Sequence, residues 1–317
     1  MEYFKNTSSS GTLLSVVIVS YNVSELLSNC LISLRKYLTC PYEVIVIDNA
    51  STDNTKEVLV HDFPDVSTVF NSDNVGFSAA NNQGLQMARG EKIFFLNPDT
   101  ELIDERINEF FRHYSSPETK NTIAGPKLLN TDGTDQQSTW RFPRPSFHFI
   151  ELLFLNRFID LSLYKFNYDD QCISVDFVSG AALLIDRENA IELGGFDANL
   201  FWMDDVDLCQ RHTEKGNKVE YYPAAILKHH SGQSGKKNYK IQISNQILSK
   251  LKYYKKNKQF LNFYLSVFIF FFHIVSRFFL FLSLSPINNT YFKKFVAYAY
   301  TFRKFFQFLF FKNTSIT

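Results

Sequence analysis

A chain of 317 residues is long enough to bury a sizeable core in one or two domains. Lys+Arg 33 against Asp+Glu 32 is nearly balanced, so charge points neither to nucleic acid nor to an acidic partner. Cys30, Cys40, Cys172 and Cys209 form no CxxC pair and no zinc spacing, and they read as reduced thiols of a cytosolic compartment, some of them buried.

Residues 1–12 are polar and expected to be flexible. They lack a basic n-region, and the first apolar run meets Ser20-Tyr21-Asn22 without a cleavage site, so no signal peptide is expected. Leu13 to Ser20 is a β-branched run typical of a strand buried on both faces. Ser24 is the expected N-cap of a helix reaching about Tyr37, with Leu26, Leu27, Leu31 and Leu34 as its apolar positions. A second strand, Glu43 to Ile47, ends at Asp48-Asn49-Ala50-Ser51-Thr52-Asp53, and Thr52 or Asp53 can cap the helix after it. Strand, helix, strand at this spacing begins a parallel sheet.

Val66 to Phe70 is a third short strand, followed by the polar loop Asn71 to Phe77 and a helix from Ser78 to Arg89. Ile93 to Leu96 is too short for a helix and reads as a buried parallel strand. It stops at Asn97-Pro98-Asp99, which cannot continue a central strand. Ligands of open α/β sheets bind beyond the carboxyl ends of the strands. Asp99 therefore stands where a carboxylate can meet a metal-bound diphosphate, unless Asn97 and Asp99 merely make the turn. Three strands ending in short polar clusters on one edge describe a nucleotide pocket. The sequence contains no GxGxxG and no GKS or GKT, which argues against a dinucleotide oxidoreductase or a P-loop NTPase.

Glu101 to Tyr114 is expected to be helical and Ile123 to Leu129 a strand. Trp140-Arg141-Phe142-Pro143-Arg144-Pro145 is a rigid aromatic and basic loop, suited to a sugar or phosphate and equally to an ordinary surface. A strand entered through Gly180-Ala181-Ala182 precedes the tight turn Gly194-Gly195-Phe196-Asp197. On a helix starting near Asp204, the residues Asp204, Leu208 and Arg211 share one face. Acidic residues in a first turn suit the helix dipole, and that reading, or a pairing with Arg211, is taken for Asp207. Asp205, beside the aromatic pair Phe201-Trp202, is the general-base candidate. Val219 to Leu227 reads as an edge strand running to Lys228-His229-His230, a histidine pair that is either structural or metal-ligating.

Beyond residue 235 the composition shifts. A lysine-rich stretch, 236–258, leads to Phe260–Leu284, which is long enough to span a bilayer. Its polar members, Asn262, Ser266, His273, Ser276 and Arg277, fall within an arc of about 100°. A polar stripe with Arg277 near the middle argues against a lone span in lipid and fits a helix in the interface, or one packed on a partner. Tyr291 to Phe311 is a second amphipathic, Phe-rich segment. Packing of both helices on the preceding domain is the alternative. Association with the cytoplasmic face of a membrane is expected, with the lysines meeting anionic headgroups.

Ser15 to Asn22, Val46 to Asp53, Asn74-Val75-Gly76-Phe77, Leu96 to Thr100, Gly194 to Asp197, Asp204 to Leu208 and His229-His230 occur in an order that resembles family 2 glycosyltransferases. The nearest flavour is that of rhamnosyltransferase-type enzymes of bacterial surface polysaccharide synthesis, and the resemblance covers roughly 13–235. It implies a GT-A fold, a Rossmann-like α/β domain with a mostly parallel central sheet flanked by helices. It also implies an inverting transfer from a nucleoside-diphosphate sugar to a glycan or lipid-linked acceptor. By matched position, Asp48 would contact the base and Ser20, Tyr21 and Asn22 would line the nucleoside site. Asn74, Gly76 and Asn97 join the same nucleotide-sugar site. Asp99 would bind Mg2+ or Mn2+ and the diphosphate, His229 or its neighbour His230 would complete the metal site, and Asp205 would be the base. Trp140, Arg141, Trp202 and Asp204 are the candidate acceptor pocket. Two departures stand out: Asn97 replaces the first acid of the family's DxD motif, and Asp204-Asp205 replaces the usual Glu-Asp pair. The division implied is 1–12, a catalytic domain 13–235, a basic linker 236–258 and C-terminal helices 259–317. Rival classes are a sugar nucleotidyltransferase, and an inactive nucleotide-sugar binder at the membrane.

Overall fold

The computed structural model describes residues 14–155, 171–230 and 239–310. The expected flexible segment 1–12 and the lysines Lys236 and Lys237 lie outside the described residues. All seven residues of β1 (Leu14–Ser20) are buried, so the strand is covered on both faces. After it come α1 (Ser24–Tyr37), β2 (Tyr42–Asp48), α2 (Thr55–Asp62), β3 (Ser67–Phe70), α3 (Phe77–Met87) and β4 (Lys92–Leu96). These strands pair in parallel in the order β3-β2-β1-β4. The start of α1 is held from outside rather than by Ser24 as N-cap: the Ser24 amide donates to Asp53 Oδ2 at 3.0 Å.

The remaining elements are β5 (Thr100–Leu102), α4 (Ile107–Tyr114), β6 (Thr122–Leu129), β7 (Asp135–Gln136), β8 (Thr139–Trp140), α5 (Pro145–Leu152), β9 (Ile173–Ser174), β10 (Phe177–Val178), β11 (Ala182–Asp186), α6 (Arg187–Glu192), α7 (Asp204–Glu214), β12 (Lys218–His229), α8 (Tyr239–Lys256), α9 (Phe260–Leu284) and α10 (Asn289–Phe310). Among the described residues the main sheet runs β3-β2-β1-β4-β11-β6-β12-β5, with β7 on β6 and β9 on β12. β11 is antiparallel to β4, while β12 is parallel to β6. Two expectations are corrected. Thr100–Leu102 is a strand rather than the first turn of a helix, because it pairs with β12. β12 is interior, between β6 and β5, rather than an edge; its Pro223 falls in a bulge between Tyr222 and Ile226, where no ladder amide is required.

The order of strands carries a geometric consequence. β5 begins only three residues after β4, yet its partner β12 lies three strands away from β4. A flat sheet would put β5 about 19 Å from β4. The intervening turn is closed by a 3.2 Å bond from Thr100 N to Asn97 O and cannot span that distance. The sheet therefore curls, and the end of β12 comes back over the end of β4.

Packing follows the periodicity of each element. α4 buries Ile107, Phe110, Phe111 and Tyr114, one face at i, i+3, i+4 and i+7, and Phe110 and Phe111 meet Phe94 of β4 edge-on. α3 approaches β1 closely at Gly84, where a methyl group would stand 2.3 Å from Val17 Cγ1.

The described chain forms two compact units. The second consists of α5 and its neighbouring residues, Leu200–Met203, and α8, α9 and α10, so these insertions interrupt the single stretch 13–235 expected for the catalytic domain. In this unit α9 points two members of its polar stripe inward, while Ser276 of the same stripe is exposed. Ser266 and Arg277 are buried, and the Arg277 guanidinium donates to the carbonyls of Leu152 and Glu151, each at 2.7 Å, over the ring of Phe154. Large apolar residues such as Leu261 (73% exposed), Tyr264 and Phe268 point outward. α9 is the one described helix long and apolar enough to cross a membrane.

The close approach at Gly84 predicts that Gly84→Ala destabilises the first unit by about 1–3 kcal/mol, because β1 cannot move away from a sheet bonded on both sides. Denaturant unfolding of the variant checks this; a midpoint at or above that of the parent chain contradicts it.

Candidate active site

The carboxyl ends of β1 and β2 place Ser20 beside Asp48 in register. Both residues are buried, and Ser20 Oγ and Asp48 Oδ1 have no hydrogen-bond partner among the described residues. Leaving such atoms unpaired costs about 1–3 kcal/mol each. The loops around them are rigid. Asn49 Oδ1 accepts from the Val75 amide at 3.0 Å, and its amide nitrogen donates to Asn74 Oδ1 at 2.8 Å. Asn74 Oδ1 also accepts from the Gly76 amide, at a φ of +87° that glycine adopts freely. Asn22 sits at φ +54°, and its side-chain oxygen accepts from the Thr52 and Asp53 amides. That oxygen shapes the loop after β2. Tyr21 is 40% exposed beside it.

At the end of β4, Asn97 O accepts from both the amide and the hydroxyl of Thr100, which fixes the Asn-Pro-Asp turn and directs Asp99 inward. His229 pairs across the ladder with Thr100, so its ring meets the neighbouring Asp99: Nε2 stands 3.3 Å from Oδ1. His229 Nδ1 lies 2.6 Å from Gln136 Oε1, an atom that can only accept, so the proton is on Nδ1. His230 turns the other way. Its Nε2 is 2.7 Å from Glu101, and its amide donates to the Asp99 carbonyl. Of the two histidines, His229 faces the carboxylate.

The acid pair opens α7. Asp204 is buried and accepts from Ser78 Oγ at 2.8 Å. Burial, and then the adjacent Asp205 charge, push the Asp204 carboxyl from 3.8 up to about 7. Asp205 accepts from the amides of Gly180 (3.0 Å) and Val206 (2.8 Å). Loss of solvent raises its pKa despite those bonds. Asp207 is structural, as expected: it pairs with Arg211 at 2.7 Å, and Arg211 in turn reaches the carbonyls of Leu193 and Gly195 in the Gly-Gly turn.

A short path joins the two groups. Gly180 holds Asp205; the next residue, Ala181, accepts through its carbonyl from the Asn97 amide at 2.9 Å; and Asp99 is two residues further on. The acid pair, Asp99 and His229 thus sit at one edge of the sheet. Of the expected acceptor residues, Asp204 is a member of this acid pair. Trp140 belongs to β8 and stacks on Phe177 at 5.3 Å, while Arg141 beside it is exposed. Trp202 is half exposed, two residues before Asp204.

A family model described as glycosyl transferase family 2 matches residues 15–194. The chain belongs to that family. It is a glycosyltransferase. Over 242 residues it is 28% identical to an N-acetylglucosaminyl-diphospho-decaprenol L-rhamnosyltransferase of Mycobacterium tuberculosis, covering 70% of this chain and 77% of that protein. An O-antigen chain rhamnosyltransferase of Salmonella typhimurium is 24% identical, covering 68% of this chain and 66% of the relative. Two solved structures share the fold at a TM-score of 0.57. A mannosyltransferase from Pyrobaculum calidifontis in complex with GDP-Man and Mn2+ is 16% identical and matches 96% of this chain and 89% of its own. GalNAc-T7 with UDP, GalNAc and Mn2+ is 20% identical and matches 72% and 45%. The α/β architecture with a mostly parallel central sheet is thus the GT-A-like one expected.

Several residues that shape the site of this glycosyltransferase carry no signal in the sequence. Ser78 braces Asp204, Gly180 anchors Asp205, and Gln136 orients His229. Each lies far along the chain from the residue it serves. Asn49 was legible only as a member of the polar cluster after β2.

The raised Asp204 pKa sets a sign for stability. An acid that titrates higher folded than unfolded contributes stability that is full below 3.8 and is lost as pH rises through about 7. Asp204→Asn keeps an acceptor for Ser78 and removes the charge. Unfolding midpoints measured from about pH 4 to pH 8 should fall for the parent chain and fall less for the variant. Parallel curves contradict the assignment.

Proposed function

We propose that this glycosyltransferase moves a sugar, with inversion, from a nucleoside-diphosphate sugar to a hydroxyl of a glycan or lipid-linked acceptor in cell-surface polysaccharide synthesis. The reading rests on one observation: the bonds Asp205–Gly180 and Ala181–Asn97 bring a carboxylate base and the Asp99–His229 pair to a single edge. The unpaired atoms of Ser20 and Asp48 support a nucleoside beside them, since Asp48 Oδ1 can accept an N–H of the base.

The solved neighbours contain Mn2+, and the residues here fit a divalent ion. Adjacent ligands about 2.1 Å from a metal stand about 3 Å apart, close to the 3.3 Å between Asp99 Oδ1 and His229 Nε2. With Nδ1 on Gln136, Nε2 is the ring nitrogen that faces Asp99 and the one that would ligate an ion between them. With Asn97 in place of an acid and no group of three ligating side chains among the described residues, Mg2+ or Mn2+ would be held by Asp99 and His229, the diphosphate and water. Such an ion supplies neutralisation of the charge on the departing diphosphate.

Asp205 acts on the acceptor. A sugar hydroxyl is a weak nucleophile; as its oxygen bonds to the anomeric carbon and the bond to the diphosphate oxygen breaks, its proton passes to Asp205. Ser78 and Asp204 brace the neighbouring turn. Because loss of solvent raises the Asp205 pKa, activity rises with pH over a limb above the ordinary carboxylate range.

The test is the product and its dependence on named side chains. Nucleoside diphosphate, not pyrophosphate, should appear with acceptor present. Asp205→Asn lowers turnover by about 10²–10⁴-fold with donor binding retained. EDTA stops turnover and Mn2+ restores it, and His229→Ala raises the Mn2+ required while His230→Ala does not. Turnover that survives Asp205→Asn sinks the base assignment.

The outward aromatic face of α9, with the lysines that close α8, supports attachment to the cytoplasmic face of a membrane. Replacing exposed Leu261 and Phe268 together with Glu should weaken co-sedimentation with anionic vesicles roughly tenfold or more. Unchanged partition of the folded variant refutes membrane attachment by this face.

A further inference from the structure

The helical unit contains a cavity of about 350 Å³ that no step above uses, a size within the ~300–1,000 Å³ of ligand sites. Its wall includes Glu151, Lys250, Phe270, His273, Arg277 and Tyr298. Two permanent cations therefore face one carboxylate, inside a bundle whose outer surface is aromatic. Arg277 is satisfied geometrically by the carbonyls that end α5, yet dipoles do not cancel its charge. Lys250 Nζ stands 3.6 Å from Glu151 Oε2 and on its other side looks over the Phe270 ring at 5.9 Å. His273 Nδ1 is a buried atom with no hydrogen-bond partner among the described residues. A cavity with surplus positive charge and aromatic walls suits an anion attached to something apolar.

We propose that this cavity binds the phosphate or diphosphate head of an amphiphile, and that the amphiphile is the lipid end of the acceptor. The second half of the proposal rests on the lipid-linked reading above. Lys250 supplies a charge-assisted donor and Arg277 the field, while Phe270 and Tyr298 border the first carbons of the chain.

Thermal unfolding of the full chain in a neutral detergent, with farnesyl diphosphate, farnesol or phosphatidylglycerol added, tests it. Farnesyl diphosphate should raise the Tm and farnesol should not. Lys250→Gln, at a side chain 26% exposed, should weaken the effect roughly tenfold without unfolding the chain. A response to phosphatidylglycerol alone assigns the cavity to a bilayer headgroup and overturns the acceptor role; a response to both keeps the phosphate site. Equal shifts with farnesol, or an unchanged response in Lys250→Gln, overturn the site itself. Asp205→Asn must still bind farnesyl diphosphate, so lost turnover with intact binding faults the catalytic reading, whereas intact turnover without binding faults only the cavity.

Discussion

The hydrogen bond from the Asn97 amide to the Ala181 carbonyl is the constraint on which the site depends. It is the last rung of the antiparallel pairing between β4 and β11, and it lies where one strand ends and the other begins. On one side of the rung the chain turns through Pro98 to Asp99; on the other, one residue away, Gly180 holds Asp205. A slip of one residue would carry both groups to the wrong faces. The buried pair Lys92–Asp186, at 2.6 Å across the far end of the same two strands, helps pin the register. A buried ion pair is weak support for stability, but breaking it leaves an uncompensated charge, which makes it a good guard of alignment.

Curvature decides the other half of the site. Because β5 follows β4 so closely and still pairs with β12, the sheet has to bend until His229 reaches Asp99. Which histidine arrives depends on the bulge. Between Tyr222 and Ile226, β12 has Pro223, Ala224 and Ala225 where β6 has no residue between Pro126 and Lys127. Three extra residues are an odd number, so every side chain beyond them changes face. Proline at that position is thus compatible with an interior strand and helps decide that His229, and not His230, turns toward the carboxylate.

In the helical unit the inner face of α9 mixes polar groups with apolar Ile269, Phe270 and Ile274. Arg277 and Ser266 are buried and Leu261, Tyr264 and Phe268 are exposed. Such a helix is satisfied only if its inner groups find polar partners and its outer face finds something other than water. The carbonyls that end α5 meet the first need for Arg277, since the last carbonyls of any helix lack partners of their own.

Local sequence carried the parallel start of the sheet and the polar ends of β1, β2 and β4, and it put Asp48 and Asp99 at those ends and Asp205 in the first turn of a helix, because hydrophobic period and turn chemistry are local properties. It also marked Asp207 for Arg211, four residues apart on one helix. It misread Glu101 and Leu102 as helix and β12 as an edge, since a short strand is defined by its partner rather than by its own residues. The partners Ser78, Gly180 and Gln136, which of His229 and His230 faces Asp99, and the burial of Ser266 and Arg277 came from the tertiary fold alone. Those depend on register, curvature and packing between residues far apart in the chain, and no window of neighbouring residues contains them.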